Sequence, residues 1–399
     1  MEPASPLQRK SFGLKEAVRP ALQADYHSAL IDRIRANGAR LKKGRVTVRL
    51  AKEFGFCYGV DRAIDYAYEA RAKFPGKRIF LTNEIIHNPQ VNSKLKERGV
   101  RFLSGPYADG TGIGSITRED IVIIPAFGTT TGALAKLQKI GCVLVDTTCG
   151  SVMSVWKRVE SYSRDGFTSL IHGKYDHEET RATCSRALLH PGGKYIVVRD
   201  MAQAEKVCAY IRGEGDRKAF LAEFAGAVSE GFDPDRDLER IGCANQTTML
   251  SSESMEIADR VAFAFTKRYG KEDLAARFRH FDTICSATQD RQDAVLALAC
   301  DGVALMLVVG GYNSSNTGHL VEISLKHCPA YHVQDAACLL SAQAIRHKNV
   351  HDVRIIETRD WLPPGEITVG VTAGASTPNR VVEEVIERIW QVAGAQGET

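Results

Sequence analysis

The chain has 399 residues, enough for several ordinary domains and a large apolar core. Its hydrophobic content of 44% and charged content of 25% are typical of globular proteins, and no apolar run is long enough to cross a membrane. The net charge of +4 predicts neither a nucleic-acid nor a membrane partner. Ten cysteines without tight regular spacing, and no secretory signal, favour a reducing, cytoplasmic compartment with free or metal-bound thiols.

Residues 1–44 are expected to form an N-terminal extension. Basic side chains outnumber acidic ones there, but Glu16, Asp25 and Asp32 interrupt them, which is unlike an acid-poor transit peptide. We expect a solvated helical segment from about residue 14 to residue 43. A docking arm for an acidic redox partner is the alternative interpretation.

Short apolar runs then alternate with helical segments. Most of these runs are continuous, as is typical of parallel strands buried on both faces. The predicted strands are Val46–Leu50, Ile79–Thr82, Ile121–Pro125, Val143–Val145, Ser169–His172, Tyr195–Val198, Ala304–Val309, Val353–Glu357 and Ile367–Val371. Alternating strands and helices predict an α/β fold with mainly parallel sheets.

Three cysteines each follow a short apolar or β-branched run and open a segment with helical spacing: Cys57, Cys149 and Cys285. A helix N-terminus favours the thiolate form of a cysteine. One such cysteine would suit a nucleophile, whereas three from separate units suggest one metal centre. The sequence has no C-x-x-C pair, which argues against a local zinc knuckle. An iron–sulfur cluster held by three thiolates would leave one iron open to substrate. The other seven cysteines are expected to be packing residues.

The same three cysteines suggest the domain organisation. We expect three α/β domains, over residues 45–148, 149–284 and 285–399, the last including a C-terminal segment. Sequence similarity between these units is too weak for them to be called repeats.

The residues that follow the predicted strands are rich in hydroxyls, amides, glycines and imidazoles and poor in Lys and Arg. In open parallel sheets, ligands bind at the carboxyl ends of the strands. Neutral donors of this kind suit an anionic ligand such as a phosphate, although Ser, Thr and Asn before a helix are also common N-caps. The residues at these positions include His87, Asn88, His172, His177, Glu179, Asn313, Ser314, Ser315, Asn316, Ser376 and Thr377.

Eight phrases in the chain, in consistent order over about residues 45–390, together resemble one known family. They are Phe-Cys-Tyr-Gly-Val-Asp-Arg-Ala, Ile-Ile-His-Asn-Pro-Gln-Val, Asp-Thr-Thr-Cys, His177 with Glu179, Asn-Gln-Thr-Thr, Ala-Thr-Gln-Asp-Arg-Gln-Asp-Ala-Val, Asn-Ser-Ser-Asn-Thr and Gly-Val-Thr-Ala-Gly-Ala-Ser. The chain thereby resembles the LytB-type 4-hydroxy-3-methylbut-2-enyl diphosphate reductases, which complete the non-mevalonate isoprenoid pathway.

The resemblance implies a trefoil of three α/β domains around a central [4Fe-4S] cluster, with Cys57, Cys149 and Cys285 as its ligands. It implies reductive removal of the substrate's allylic hydroxyl, giving isopentenyl and dimethylallyl diphosphate, with ferredoxin or flavodoxin as electron donor. The implied proton donor or relay is Glu179, and Thr247 would position the hydroxyl. His87, His177, Ser314, Asn316 and Ser376 would bind the diphosphate, with Thr248 and Ser315 nearby.

Two departures from the family pattern concern the binding residues. Phe127 replaces a His that many bacterial members carry, which removes one candidate diphosphate ligand and makes the chain similar to the plant and cyanobacterial subset. The phrase around His177 reads Asp-His-Glu-Glu-Thr rather than Gly-His-Pro-Glu, so the loop is expected to differ in shape.

Two other functions remain open at this point. One is a different three-cysteine cluster enzyme, such as a quinolinate-synthase-like dehydratase, which would need more Arg or Lys at the strand ends to bind dicarboxylates. The other is a non-enzymatic cluster protein for redox sensing or electron transfer, which would need neither Glu179 nor the Ser and Asn donors.

Overall fold

The structure is a computed structural model that describes residues 7–281, 283–350, 352 and 354–394. Its strands are β1 Leu7–Gln8, β2 Arg40–Lys43, β3 Val46–Leu50, β4 Ile79–Leu81, β5 Val100–Phe102, β6 Ile121–Ile124, β7 Val143–Asp146, β8 Thr168–His172, β9 Tyr195–Val198, β10 Ile241–Asn245, β11 Phe278–His280, β12 Leu305–Val309, β13 Ala330–Val333, β14 Ala344–Lys348, β15 Ile355–Arg359 and β16 Ile367–Ala373. Its α-helices are α1 Lys15–Tyr26, α2 Ala29–Ala36, α3 Tyr58–Lys73, α4 Pro89–Glu97, α5 Thr131–Ile140, α6 Gly150–Arg164, α7 Glu178–Ala187, α8 Met201–Ile211, α9 Arg217–Glu223, α10 Pro234–Asp237, α11 Ser251–Tyr269, α12 Leu274–Arg277, α13 Ser286–Ala299, α14 Ser315–Leu325 and α15 Asn379–Val392.

The chain divides into two compact units, and each of them is discontinuous in sequence. The first unit contains residues 1–8 and 111–285, and the second contains residues 9–110 and 286–399. In the part of the chain that the structure describes, no helix is long and apolar enough to span a membrane.

The first unit contains a parallel sheet in the order β11-β10-β8-β9. Every residue of β8 and β10 is buried, including the polar residues Thr168, Ser169, His172 and Asn245. His172 is the register partner of Asn245, so the loops that follow β8 and β10 leave the same edge of the sheet side by side. In the same unit, β7 pairs in parallel with β1 and β6.

The second unit contains a sheet in the order β15-β14-β13-β12-β16-β3-β2. Its centre is parallel, and its two edges are antiparallel. Val309 pairs with Ala373, and Val371 pairs with Leu50. The loops that follow β12, β16 and β3 therefore all begin at the carboxyl-terminal end of these parallel strands. The second unit also contains the parallel pair β4 and β5.

The N-terminal extension is helical over α1 and α2, as expected. The prediction that the helical segment continues to residue 43 is wrong, because residues 40–43 form the strand β2. This strand pairs antiparallel with β3, where main-chain hydrogen bonding to the sheet replaces helical bonding. The extension is also more than a solvated arm. Tyr26 and Ile31 are buried, and Ser11 and the Phe12 N–H donate to the carboxylate of Glu69, which is 1% exposed on α3.

The predicted strands are present within a residue or two at each end, except that β15 begins at Ile355 and Val353 lies outside the described residues. Strands β1, β2, β5, β10, β11, β13 and β14 were not predicted. The alternation of strands and helices, with mainly parallel pairing, confirms the α/β fold class. The domain boundaries at residues 45, 149 and 285 stay a prediction.

Candidate active site

In the first unit, the loops after β8 and β10 bring together an acid cluster, which consists of His177, Glu179, Thr247 and Thr248. His177 caps α7, and its Nδ1 accepts a hydrogen bond from the Glu179 N–H at 3.1 Å. This contact places the ring hydrogen on Nε2, where it can be donated to an anion. Glu179 is 1% exposed, and its Oε1 accepts from the Thr247 N–H at 2.6 Å.

Gln246 braces the acid cluster. Its Oε1 accepts from the Thr180 hydroxyl at 3.1 Å and from the Lys174 N–H at 3.2 Å, and its Nε2 donates to the Thr248 hydroxyl at 2.8 Å. The side chain is 1% exposed. Gln246 therefore fixes the two loops against each other. It was not among the candidate residues, although its place in Asn-Gln-Thr-Thr was a usable signal.

Cys149 and Cys285 also belong to the first unit. Cys149 is the N-cap of α6 and makes no capping bond through its side chain, and its N–H donates to the carbonyl of Ala126 at 3.0 Å. The turn before it is held by Asp146, whose carboxylate accepts from the N–H and the hydroxyl of Thr148. The Cys285 N–H donates to the carbonyl of Thr247 at 3.5 Å, which ties this cysteine to the acid cluster.

Phe127, where many relatives have His, contacts His177 directly. The two rings meet edge to face, with centroids 5.5 Å apart. Such a contact holds the imidazole plane through packing rather than through a hydrogen bond. Phe127 thus orients His177 in this chain but contributes no donor of its own.

In the second unit, three loops bring together a donor cluster, which consists of His87, Ser314, Ser315, Asn316 and Ser376. The Ser376 hydroxyl donates to the carbonyl of His87 at 3.3 Å, and Oδ1 of Asn316 accepts from the Ala375 N–H at 3.0 Å. These contacts join the loops before α4, α14 and α15. The Nδ1 of His87 lies 3.0 Å from Oε2 of Glu84.

Glycines permit the close approach of these loops. A Cβ on Gly311 would lie 2.4 Å from the carbonyl oxygen of His87, and one on Gly374 would lie 2.1 Å from Oγ1 of Thr317. Such distances are too short for any other residue type. Gly311 and Gly374, which follow β12 and β16, therefore allow the loops that carry the donor cluster to pack closely.

The start of α14 leaves buried donors without partners. Ser314 caps the helix, and its oxygen accepts from the Thr317 N–H at 3.2 Å. Among the residues that the structure describes, the buried Oγ of Ser315 and Nδ2 of Asn316 have no hydrogen-bond partner. Because such groups are rare and costly, this helix start is suited to an anion that accepts from them.

Cys57 lies beside the donor cluster in the second unit. It is the N-cap of α3, and its N–H donates to the carbonyl of Ala375 at 3.3 Å. Arg291 on α13 is 5% exposed and donates from Nη2 to the carbonyls of Gly55 and Phe56, at 2.7 and 3.1 Å. Helix α13 begins directly after Cys285, so Arg291 couples this helix to the segment that ends at Cys57.

The ten thiols differ in their surroundings. Cys57, Cys149 and Cys285 are half-buried at helix starts. Burial raises the pKa of Cys142 to about 11 and that of Cys184 and Cys208 to about 12, which makes these thiols unreactive and unsuitable as ligands. The expectation that all seven remaining cysteines are packing residues is wrong for Cys300, which is exposed on the surface.

The sequence model of one protein family, the LytB proteins, matches residues 48–390 of the chain. The chain belongs to the LytB family. A 4-hydroxy-3-methylbut-2-enyl diphosphate reductase of Gloeobacter violaceus is 51% identical over 97% of this chain and 92% of the relative. One of Thermosynechococcus vestitus is 49% identical over 96% of this chain and 94% of the relative. Both sources are cyanobacterial, as expected of a LytB protein with Phe127.

Solved structures of LytB-type reductases are similar to the chain as well. A structure of (E)-4-hydroxy-3-methyl-but-2-enyl diphosphate reductase, described as the terminal enzyme of the non-mevalonate pathway, is 27% identical with a TM-score of 0.52, covering 86% of this chain and 99% of that one. A reductase structure from Plasmodium falciparum, 21% identical with a TM-score of 0.61, covers 86% and 87% and shows the shared fold. LytB enzymes are iron–sulfur proteins.

Proposed function

We propose that this chain reduces 4-hydroxy-3-methylbut-2-enyl diphosphate to isopentenyl and dimethylallyl diphosphate, the reaction for which its relatives are named. The observation that carries the proposal is the start of α14, where buried side-chain donors of Ser315 and Asn316 lack partners within the described residues. Neither an electron carrier nor a redox sensor needs such donors. A dicarboxylate enzyme would instead need cationic side chains there.

The diphosphate is held by His87, His177, Ser314, Asn316 and Ser376 in this proposal, with Thr248 and Ser315 nearby. Several features support it. The N-terminus of α14 carries partial positive charge and directs N–H groups outward. His177 presents Nε2–H because Nδ1 is already occupied. Neutral donors balance the ligand's charge through many hydrogen bonds rather than through one ion pair.

Cys57, Cys149 and Cys285 are the proposed ligands of a [4Fe-4S] cluster. Their thiols suit that group because all three are half-buried at helix starts, whereas burial has made most of the other thiols inert. The cluster would supply low-potential electrons and a Lewis-acidic iron. A one-electron carrier such as ferredoxin or flavodoxin is the proposed donor.

Glu179 is the proposed proton donor. Breaking the C–O bond requires two electrons and two protons, and the oxygen leaves as water once it is protonated. The carboxyl group of Glu179 is buried and is held by the Thr247 N–H, so its position is fixed and bulk water does not compete with it. Thr247 then offers its hydroxyl to orient the substrate oxygen beside that acid.

The deciding experiment is an assay of the anaerobically purified protein with the allylic diphosphate and a chemical reductant. Formation of the two isoprenoid diphosphates is expected. Turnover of a dicarboxylate instead would identify the quinolinate-synthase-like alternative. Reversible reduction without any product would identify a redox protein.

The cluster assignment is tested by replacing each proposed ligand with serine. We expect Cys57→Ser, Cys149→Ser and Cys285→Ser each to lower the iron and sulfide content and to abolish turnover, because a lost thiolate opens a further iron to solvent. Cys300→Ser, at an exposed thiol, is the matched control and should keep normal iron content. Normal iron and sulfide in all three ligand variants would refute the assignment.

A further inference from the structure

His319 is a further polar side chain near the start of α14, after Ser315, Asn316 and Thr317, that lacks a partner within the described residues. It is 8% exposed, and its buried Nε2 has no hydrogen-bond partner in the part of the chain that the structure describes. It lies about one helical turn after Ser315 and Asn316 and so shares their side of the helix. Side chains on a helix tilt toward its N-terminus, which directs the His319 ring back toward those two residues.

The other nitrogen of His319 is already committed. Nδ1 lies 3.0 Å from Oε2 of Glu322, and since a carboxylate only accepts, Nδ1 carries the hydrogen. The same arrangement exists at His87, whose Nδ1 lies 3.0 Å from Oε2 of Glu84. The second unit thus contains two buried imidazoles that are each oriented by a glutamate three residues away in sequence.

This pairing leaves Nε2 of His319 for a further partner. An imidazole held by a carboxylate at Nδ1 donates from Nε2 when it is protonated, and it then brings the positive charge that Ser and Asn donors cannot supply. Glu322 supplies a carboxylate at Nδ1 of this ring, and a bound diphosphate would supply the acceptor that Nε2 lacks within the described residues. The surroundings therefore fit an anion better than they fit a packing residue.

We propose that His319 is a further ligand of the substrate's diphosphate group, donating from Nε2, with Glu322 as the residue that orients it. The proposal rests on the proposed function, because it places His319 at the same anion site as Ser315 and Asn316. It adds a third imidazole to the proposed ligands His87 and His177.

The test measures binding of inorganic pyrophosphate to the purified holoenzyme by titration calorimetry. His319→Leu should weaken binding by about tenfold or more, as expected for loss of a charge-assisted hydrogen bond. Glu322 is partly exposed. Glu322→Gln should weaken pyrophosphate binding about threefold, because the His319 ring is then less firmly oriented. His327→Leu, at an exposed position just beyond α14, is the control and should bind like the unmodified protein.

The outcomes separate this inference from the proposed function. If the unmodified protein binds no pyrophosphate, the anion site itself is refuted. If it binds, and His319→Leu and Glu322→Gln bind equally tightly, the site stands and the role of His319 is refuted. Should His319→Leu fail to fold, Glu322→Gln decides, and unchanged affinity in that variant overturns the proposal. With substrate, the variants should raise KM more than they lower kcat, which a merely structural residue would not do selectively.

Discussion

Glu179 combines two properties that separate a working acid from a surface carboxylate. It is almost completely buried, and one of its oxygens is held by a main-chain N–H across two loops. Its neighbour Glu178 stands in the same first turn of α7 but is only partly buried. Burial and fixed geometry, rather than residue type, therefore favour Glu179 over Glu178 as the proposed proton donor.

Replacing Glu179 by glutamine should remove most turnover and leave the cluster intact. We expect a loss of about a hundredfold or more, because the amide keeps the shape and the acceptor for Thr247 but cannot deliver a proton. The measurements are the rate of product formation and the visible absorbance of the cluster. Glu230→Gln, at an exposed glutamate of the same unit, is the matched control and should stay close to full activity. Full activity in Glu179→Gln would exclude the proton-donor role.

The phrases that resemble the LytB family selected the candidate residues, but they gave no information on the side chains that hold them in place. Gln246, Glu84 and Glu322 were not predicted. Gln246 contacts Thr180, which only the folded chain brings near, whereas Glu84 and Glu322 each lie three residues from their histidine. A glutamate three residues from a histidine is common on helices, so its spacing carries little information alone. Burial is the missing quantity, and a single sequence does not supply it for isolated polar residues.

At the scale of elements, α13 holds the segment that carries one proposed cluster ligand, Cys57. It begins directly after Cys285, and Arg291 on it holds the carbonyls of Gly55 and Phe56 just before Cys57. A planar guanidinium donates in several directions at once, which suits it to clamping a loop. The position of Cys57 therefore depends on a residue that is far from it in sequence.

Arg291→Lys should lower cluster occupancy even though it keeps the charge. A lysine has a single ammonium group and cannot reproduce the set of bonds to Gly55 and Phe56, so the Cys57 segment should become less fixed. We expect fewer irons per chain after anaerobic reconstitution and faster loss of the cluster in air. Asp290→Asn, at the exposed neighbouring position, is the control. Unchanged iron content and unchanged stability of the cluster in Arg291→Lys would contradict this role.

The elements themselves were predictable to different degrees for physical reasons. β12, whose sequence Leu-Met-Leu-Val-Val is continuously apolar, was predicted. The equally buried β10 was missed, because Gly242 and Asn245 leave it without a continuous apolar run. β14 and β15 lie toward an edge of their sheet, and β14, with its charged and half-exposed residues, was missed. Residues 40–43 form another edge strand that was missed. Their composition suits a helix, but hydrogen bonding to β3 makes them a strand.

At the scale of the whole molecule, each of the two units is held together by contacts between distant stretches of the chain, which sequence patterns do not reveal. Each unit is assembled from separate stretches of the chain, and the second includes residues 9–44 of the N-terminal extension as well as α15. Boundaries drawn at the three cysteines assume that domains are continuous. Strand order, as in β12-β16-β3, is a long-range property, and no local signal around Val46 or Ile367 encodes it.

The stability of the second unit should depend on pH through His332. This residue of β13 is completely buried, and its Nε2 lies 3.0 Å from the carbonyl oxygen of Gly310, at the start of the loop that leads to Ser314. Burial, with smaller effects of the charges on Lys348 and His347, lowers the pKa of His332 to about 3. The ring is therefore neutral in the folded protein and donates to Gly310, whereas it is protonated below about pH 6.5 in the unfolded chain.

Because the unfolded chain binds a proton that the folded chain does not, stability should be complete above about pH 6.5 and fall as the pH is lowered toward 3. The limiting slope for one such group is about 1.4 kcal/mol per pH unit. His332→Gln keeps an uncharged donor for the Gly310 carbonyl and should show a shallower decrease in urea-unfolding free energy between pH 6.5 and 4. His327→Gln, at an exposed imidazole, should keep the slope of the unmodified protein. Equal slopes in His332→Gln and the unmodified protein would show that His332 is not the group responsible.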